Sequence, residues 1–172
     1  MDFKNKKVLI TGGCSGIGKI MARKSLERGA SNLIIWDINE EGLAKTKEEF
    51  AKFGKEISTY KVDVSNLDEI KIAAHRVRTE VGKVDILINN AGIVVGKYFH
   101  EHTHENITKS MMINSDAPMH ITLEFLQGMM KENSGAICNI ASSAGLISNP
   151  KMSVYAASTW AGHGWSDPPR FG

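Results

Sequence analysis

Eight residues, Thr11-Gly12-Gly13-Cys14-Ser15-Gly16-Ile17-Gly18, stand between a short apolar run and a segment of helical period. Glycines at such spacings let a backbone turn tightly and approach a phosphate closely. The helix that follows offers backbone N–H groups and the favourable end of its dipole to an anion. A glycine-rich string alone is weak evidence, because turns collect glycine for many reasons. Its position, with a strand before it and a helix after it, is what restricts the fold.

The remainder of the chain repeats that strand-then-helix order. Apolar runs at Lys7–Thr11, Asn32–Trp36, Ile57–Val62, Val84–Ile88 and Ala136–Ile140 are rich in β-branched residues and nearly continuous, as strands covered on both faces require. Gly29, Gly54 and Gly82 each follow a helical stretch, where a left-handed residue ends a helix. Right-handed crossovers between such units give an α/β fold with a doubly wound parallel sheet, the Rossmann fold, with five strands present. The 172 residues are read as a single domain, 1–172.

The clearest helix is predicted over Leu67–Val81, with Ser65 as its cap and Asp68 as the capping-box partner. A longer one is predicted from about His104 to Lys131, bent at Pro118. A last helix is expected to begin after Tyr155 and to fail within about three turns at Gly162, Gly164 and Pro168-Pro169.

Asp37 ends the second predicted strand, 19 residues after Gly18. A carboxylate there can accept hydrogen bonds from adenosine ribose hydroxyls and would repel a 2′-phosphate. Ser15 is not basic and no arginine follows Asp37, so NAD is favoured over NADP. The alternative is that Asp37 merely caps the next helix near Asn39. A net charge of +2 with scattered lysines leaves no footprint for nucleic acid, and no apolar run is long enough for a membrane span. Cys14 and Cys138 make no disulfide framework, and with no signal segment at Met1 the chain is read as cytoplasmic. His100, His102 and His104 alternate without further ligands nearby, so no metal site is assigned and the segment is read as a solvated loop.

The turn's spacing, Gly12-x-x-x-Gly16-x-Gly18, resembles that of the short-chain dehydrogenase/reductase family, and further landmarks of that family follow in order. Asp63-Val64 resembles its adenine-contacting pair, and Asn89-Asn90-Ala91-Gly92 the motif that steadies the sheet beside the cofactor. Ser142 precedes Tyr155 by 13 residues, as the family's catalytic serine precedes its tyrosine, although Ser143 is its neighbour. The likeness runs from Val8 to about Ser158, with a weaker one to the branch acting on retinoids and 17β-hydroxysteroids.

This resemblance implies an oxidoreductase that passes hydride between NAD(H) and an alcohol or carbonyl substrate. Cofactor contacts are implied at Gly12, Ser15, Gly16, Ile17, Gly18, Asp37, Asp63, Val64, Asn90, Ala91 and Gly92. Tyr155 becomes the general acid/base, Ser142 the group orienting the substrate oxygen, and Asn114 the residue whose backbone carbonyl holds a relay water. Complete relatives pair as homo-oligomers and carry two more strands, so the chain is expected to be C-terminally incomplete.

One position departs from the pattern. A tyrosine phenol ordinarily ionises near pH 10, at about that value in model compounds, and the family lowers it with a lysine four residues on. Here that position is Thr159, and a hydroxyl carries no charge. Lys151, four residues before Tyr155, is not expected to substitute. An impaired or inactive nucleotide-binding fragment is therefore the alternative function.

Overall fold

Successive side chains of a strand face opposite sides of a sheet, so a central strand is apolar throughout only if both faces are covered. The computed structural model, which describes residues 2–147 and 149–166, meets that condition. In β1 (Lys7–Thr11), Val8 and Ile10 point to one face and Leu9 to the other, and all three are fully buried. In β2 (Asn32–Asp37), Leu33 and Ile35 join the first face, Ile34 and Trp36 the second. β3 (Glu56–Lys61), β4 (Ile86–Asn89) and β5 (Ala136–Asn139) complete a parallel sheet of order β3-β2-β1-β4-β5. β4 is buried along its length, whereas β5 at the edge is half-buried.

The first face is covered by α1 (Gly16–Glu27) and α2 (Glu40–Phe50), through Ala22, Leu26, Leu43 and Phe50. The second is covered by α3 (Leu67–Glu80) and α5 (Ala117–Lys131), through Ile70, Val77, Ile121, Phe125 and Met129. Each large aliphatic or aromatic side chain buried this way contributes about 1.5–3 kcal/mol. Two filled faces thus define the sheet as the doubly wound arrangement that the apolar runs predict. The expected helix ends hold too, with φ of 90° at Gly29, 61° at Gly54 and 94° at Gly82.

Three local expectations are corrected. α3 is capped by Asn66, whose side-chain oxygen accepts from the Asp68 and Glu69 N–H groups at 3.0 and 3.3 Å. Ser65 turns away, because its N–H and hydroxyl both donate to Asp63, and Glu69 rather than Asp68 reaches back, to the Asp63 N–H. The predicted long helix is not one continuous α-helix. It runs as α4 (His104–Met111), widens into a π-helical turn over Met112–Asp116, and resumes as α5, with Pro118 in the first turn, where a missing N–H is tolerated.

The third correction concerns α6 (Ser153–Ser166), which starts two residues before Tyr155 and continues through Gly162 and Gly164. Tertiary bonds hold it: Ser115 donates its hydroxyl to the Ser158 carbonyl at 2.9 Å, and the Asn139 amide donates to the Ser166 hydroxyl at 2.8 Å. Those contacts work against the roughly 1 kcal/mol that each interior glycine costs a helix. Pro168-Pro169 lie outside the described residues. Among the described residues, no helix is long and apolar enough to cross a membrane.

Candidate active site

The strand order reverses at β1, with β2 on one side and β4 on the other, and a crevice opens beyond the carboxyl ends of such a pair. Its rim is clasped by two residues. The Thr11 hydroxyl accepts the N–H groups of Asn90 and Ala91, both at 3.0 Å. In return the Asn90 amide donates to the carbonyls of Thr11 and Gly12 at 2.9 and 3.2 Å. Four bonds thereby lock the segment after β4 to the glycine turn after β1.

The crevice has two connected lobes. The outer, of about 410 Å³, is lined by Gly12, Ser15, Gly16, Ile17, Gly18, Asp37, Asp63, Val64, Asn90, Ala91 and Gly92. The inner, of about 290 Å³, is lined by Asn114, Ser142, Tyr155 and Thr159, and shares Ile17, Asn90, Ala91 and Gly92 with the outer. All the implied cofactor contacts, with Asn114, Ser142 and Tyr155, therefore border one cleft. Ser142 lines it and Ser143 does not.

In the outer lobe, Asp37 does not cap α2. Asn39 does, accepting from the Gly42 N–H at 2.9 Å, while Asp37 accepts from the N–H groups of Cys14 and Asn39 at 3.2 and 3.0 Å. Asp63 accepts from Ser65 through a single oxygen, Oδ1. The sequence reading missed Trp36, Ile38, Lys109 and Ile113, which also line this lobe. The strand pattern marks Trp36 as core, and α4 residues reach the cleft only through tertiary packing.

In the inner lobe, the Asn114 side chain is fully engaged. It accepts the Ile93 N–H and donates to the Ile93 carbonyl, both at 2.9 Å, and donates to the Ser158 hydroxyl at 3.0 Å. Its main-chain carbonyl is different. The α-helical donor to that oxygen would be the N–H four residues on, and residue 118 is proline, which has none. The Ser142 hydroxyl accepts the Ala144 N–H at 3.2 Å, which leaves its own proton to donate. Thr159 is buried and spends its hydroxyl on the carbonyls of Tyr155 and Ala156, at 3.0 and 3.2 Å. Among the described residues, no charged side chain lines the inner lobe. Lys151 sits at φ 65° with its ammonium 5.0 Å from the centre of the Tyr98 ring, and it does not line the lobe.

The histidine segment departs from a fully solvated loop at one point. Both ring nitrogens of His102 are buried without a hydrogen-bond partner among the described residues, while His100 and His104 are exposed.

The family profile for short-chain dehydrogenases matches residues 6–169. The chain belongs to this family. Among curated short-chain dehydrogenases it is 39% identical over 158 residues to estradiol 17-beta-dehydrogenase 11 of Pongo abelii, covering 92% of this chain and 52% of that protein. It is 38% identical over 161 residues to epidermal retinol dehydrogenase 2 of Mus musculus, covering 93% and 52%. The chain thus spans about half the length of the curated relatives it matches. Among solved structures, a short-chain dehydrogenase/reductase from Burkholderia phymatum in complex with NAD superposes with a TM-score of 0.91 at 32% identity, over 96% of this chain and 59% of that one. A metagenomic short-chain oxidoreductase in complex with NADP gives a TM-score of 0.89 at 28% identity, over 96% and 75%.

Family members with this fold hold a nicotinamide dinucleotide, and the turn present here fits one. A Cβ on Gly18 would collide with the Gly12 carbonyl oxygen and crowd the Asn90 amide, so glycine alone closes the turn onto α1. Around Gly16 a Cβ would meet nothing within 4 Å, which leaves the N-terminus of α1 open to an anion.

Proposed function

We propose that this chain is the cofactor-binding part of an oxidoreductase that passes hydride between NAD(H) and an alcohol or carbonyl substrate. The observation that carries the proposal is a single cleft with Asp37 at one end and Ser142 and Tyr155 at the other. Bound there, the nicotinamide supplies the hydride acceptor or donor. The backbone of Gly12 to Gly18 and the α1 terminus receive the diphosphate, Asp37 receives ribose hydroxyls, and Asp63 with Val64 borders the adenine.

At the other end, Ser142 donates its proton to the substrate oxygen and orients it. Tyr155 gives or takes a proton at its Oη as hydride moves. The Asn114 carbonyl, whose α-helical donor position is occupied by Pro118, accepts from a water that passes the proton onward. NAD rather than NADP follows from Asp37, whose charge repels a 2′-phosphate. A cytoplasmic location belongs to the same proposal and is supported by two unpaired cysteines, Cys14 and Cys138.

A second reading, a nucleotide-binding protein with impaired turnover, is favoured by Thr159, which brings no charge to the inner lobe. Titration of NADH and NADPH by fluorescence on size-checked protein tests the first part of the proposal. Tighter binding of NADPH than of NADH would reverse the cofactor assignment. Turnover with secondary alcohols and NAD then separates the two readings.

A further inference from the structure

Among the described residues, three charged side chains line the outer lobe: Asp37, Asp63 and Lys109. Both acids already hold main chain in place. Asp37 accepts the N–H groups of Cys14 and Asn39, at 3.2 and 3.0 Å, and Asp63 Oδ1 accepts the N–H and hydroxyl of Ser65, at 2.9 and 2.6 Å. Lys109 comes from α4 and is exposed. Ile113, four residues on, lines the same lobe, so this stripe of the helix faces the cleft.

The ammonium of Lys109 is unspent. Among the described residues it forms an ion pair with neither lobe carboxylate nor any other acid. Lys97, by contrast, is tied to Asn106 at 3.2 Å. A lysine in the last turn of a helix ordinarily complements the negative end of the helix dipole. That role is weak here, because α4 runs on through the π-helical turn into α5, and the Lys109 carbonyl already accepts the Met112 N–H. A dinucleotide brings its diphosphate into a lobe lined by two carboxylates, which repel it, and an ammonium in the same lobe offsets that repulsion.

We propose that Lys109 is a further cofactor-binding residue, whose ammonium donates to the adenosine half of the dinucleotide from the α4 side of the lobe. The inference rests on the reading of this lobe as the adenosine site.

Lys109→Met keeps an apolar stem and removes the charge, while Lys109→Arg keeps the charge. NADH binding is read by fluorescence, and AMP and nicotinamide mononucleotide by their displacement of NADH. These two mononucleotides carry the same phosphate, so a distant field moves both alike and a contact at the adenosine end moves AMP alone. Lys109→Met is expected to weaken NADH and AMP by about 3- to 10-fold, the effect of one charge-assisted hydrogen bond, and nicotinamide mononucleotide by less than about twofold. Lys109→Arg should stay within about twofold of wild type for all three. Unchanged NADH and AMP binding in Lys109→Met, equal weakening of both mononucleotides, or an arginine variant as poor as methionine would each overturn the inference. Asp37→Ala is measured alongside. If it leaves NADH and AMP binding unchanged, the adenosine reading of the lobe fails and takes this inference with it. If it weakens both while Lys109→Met matches wild type, the inference alone fails.

Discussion

The Thr159 hydroxyl donates to the carbonyl of Tyr155, 3.0 Å away and one turn back in α6. A threonine at this place closes its hydrogen bond within its own helix, so the group one turn after the phenol sends nothing toward the cofactor side of the cleft. Thr159→Lys is expected to place an ammonium in a lobe that no charged side chain lines among the described residues. NADH should bind more tightly, and turnover with a secondary alcohol should rise by about 10²-fold, the usual worth of such an electrostatic partner. Unchanged turnover together with tighter NADH binding would show that the substrate side, not residue 159, limits the chemistry.

Gly18→Ala tests the closure of the phosphate turn. The added methyl would strike the Gly12 carbonyl, and main chain cannot yield as a side-chain tip can. Overpacking of this kind costs about 1–3 kcal/mol. The expected result is a lower thermal midpoint together with loss of measurable NADH binding. A variant with wild-type NADH affinity would disprove the close-approach argument.

Thr11→Val separates the clasp from simple burial. Valine keeps the shape but removes the acceptor shared by the Asn90 and Ala91 N–H groups. With two part-buried donors left unmatched, a destabilisation of about 2 kcal/mol is expected. That corresponds to a fall in Tm of about 4–8 °C for a chain of this size. Calorimetry reads it directly, and Thr11→Ser, which keeps the acceptor, should recover most of the loss.

Stability should fall at both ends of the pH scale through one hydrogen-bonded pair. The Tyr60 phenol donates to Glu80 at 2.9 Å, and burial followed by that bond raises its pKa from 10.0 to about 12. A folded-state pKa above the unfolded one means that this contribution is complete below pH 10 and is lost as pH climbs toward 12. The Glu80 carboxyl is shifted the other way, held below its ordinary 4.5 first by the Arg76 bond and then by the Tyr60 bond. Its contribution is present above pH 4.5 and is lost as pH drops through the lowered value. Urea midpoints measured from pH 3 to pH 11 should therefore decline at both extremes, about as the linkage relation requires. Tyr60→Phe should flatten part of the alkaline decline, and an unchanged alkaline limb in that variant would remove Tyr60 from the account.

Much of the architecture was legible because periodicity reports covering. Val8 to Ile10 and Leu33 to Ile35 are apolar without a break, which only a sheet covered on both faces explains, and Gly29, Gly54 and Gly82 mark helix ends that need positive φ. Caps were less legible. Ser65 and Asn66 are both good caps one residue apart, and the choice fell to Asn66 because Asp63 captures Ser65. The π-helical turn before Pro118 has no comparable sequence signature. A proline says that a donor is missing, while the packing of Asn114 and Ser115 against Ser158 decides how the chain absorbs it.

By itself, the order of residues determined the turn chemistry, the parallel sheet and the names of the groups around the cleft. These are local matters: a glycine where a Cβ would clash, a carboxylate at the end of a strand, a threonine where a relative's lysine would stand. Only the tertiary structure decided what those groups do to one another. Thr11 became a clasp because β4 ends beside β1, and Cys14 came to bear on Asp37 because α2 folds back over the turn. Contacts between residues 23 to 79 positions apart have no local signature. Each is set by how the two faces of the sheet are filled, a property of the whole packed chain.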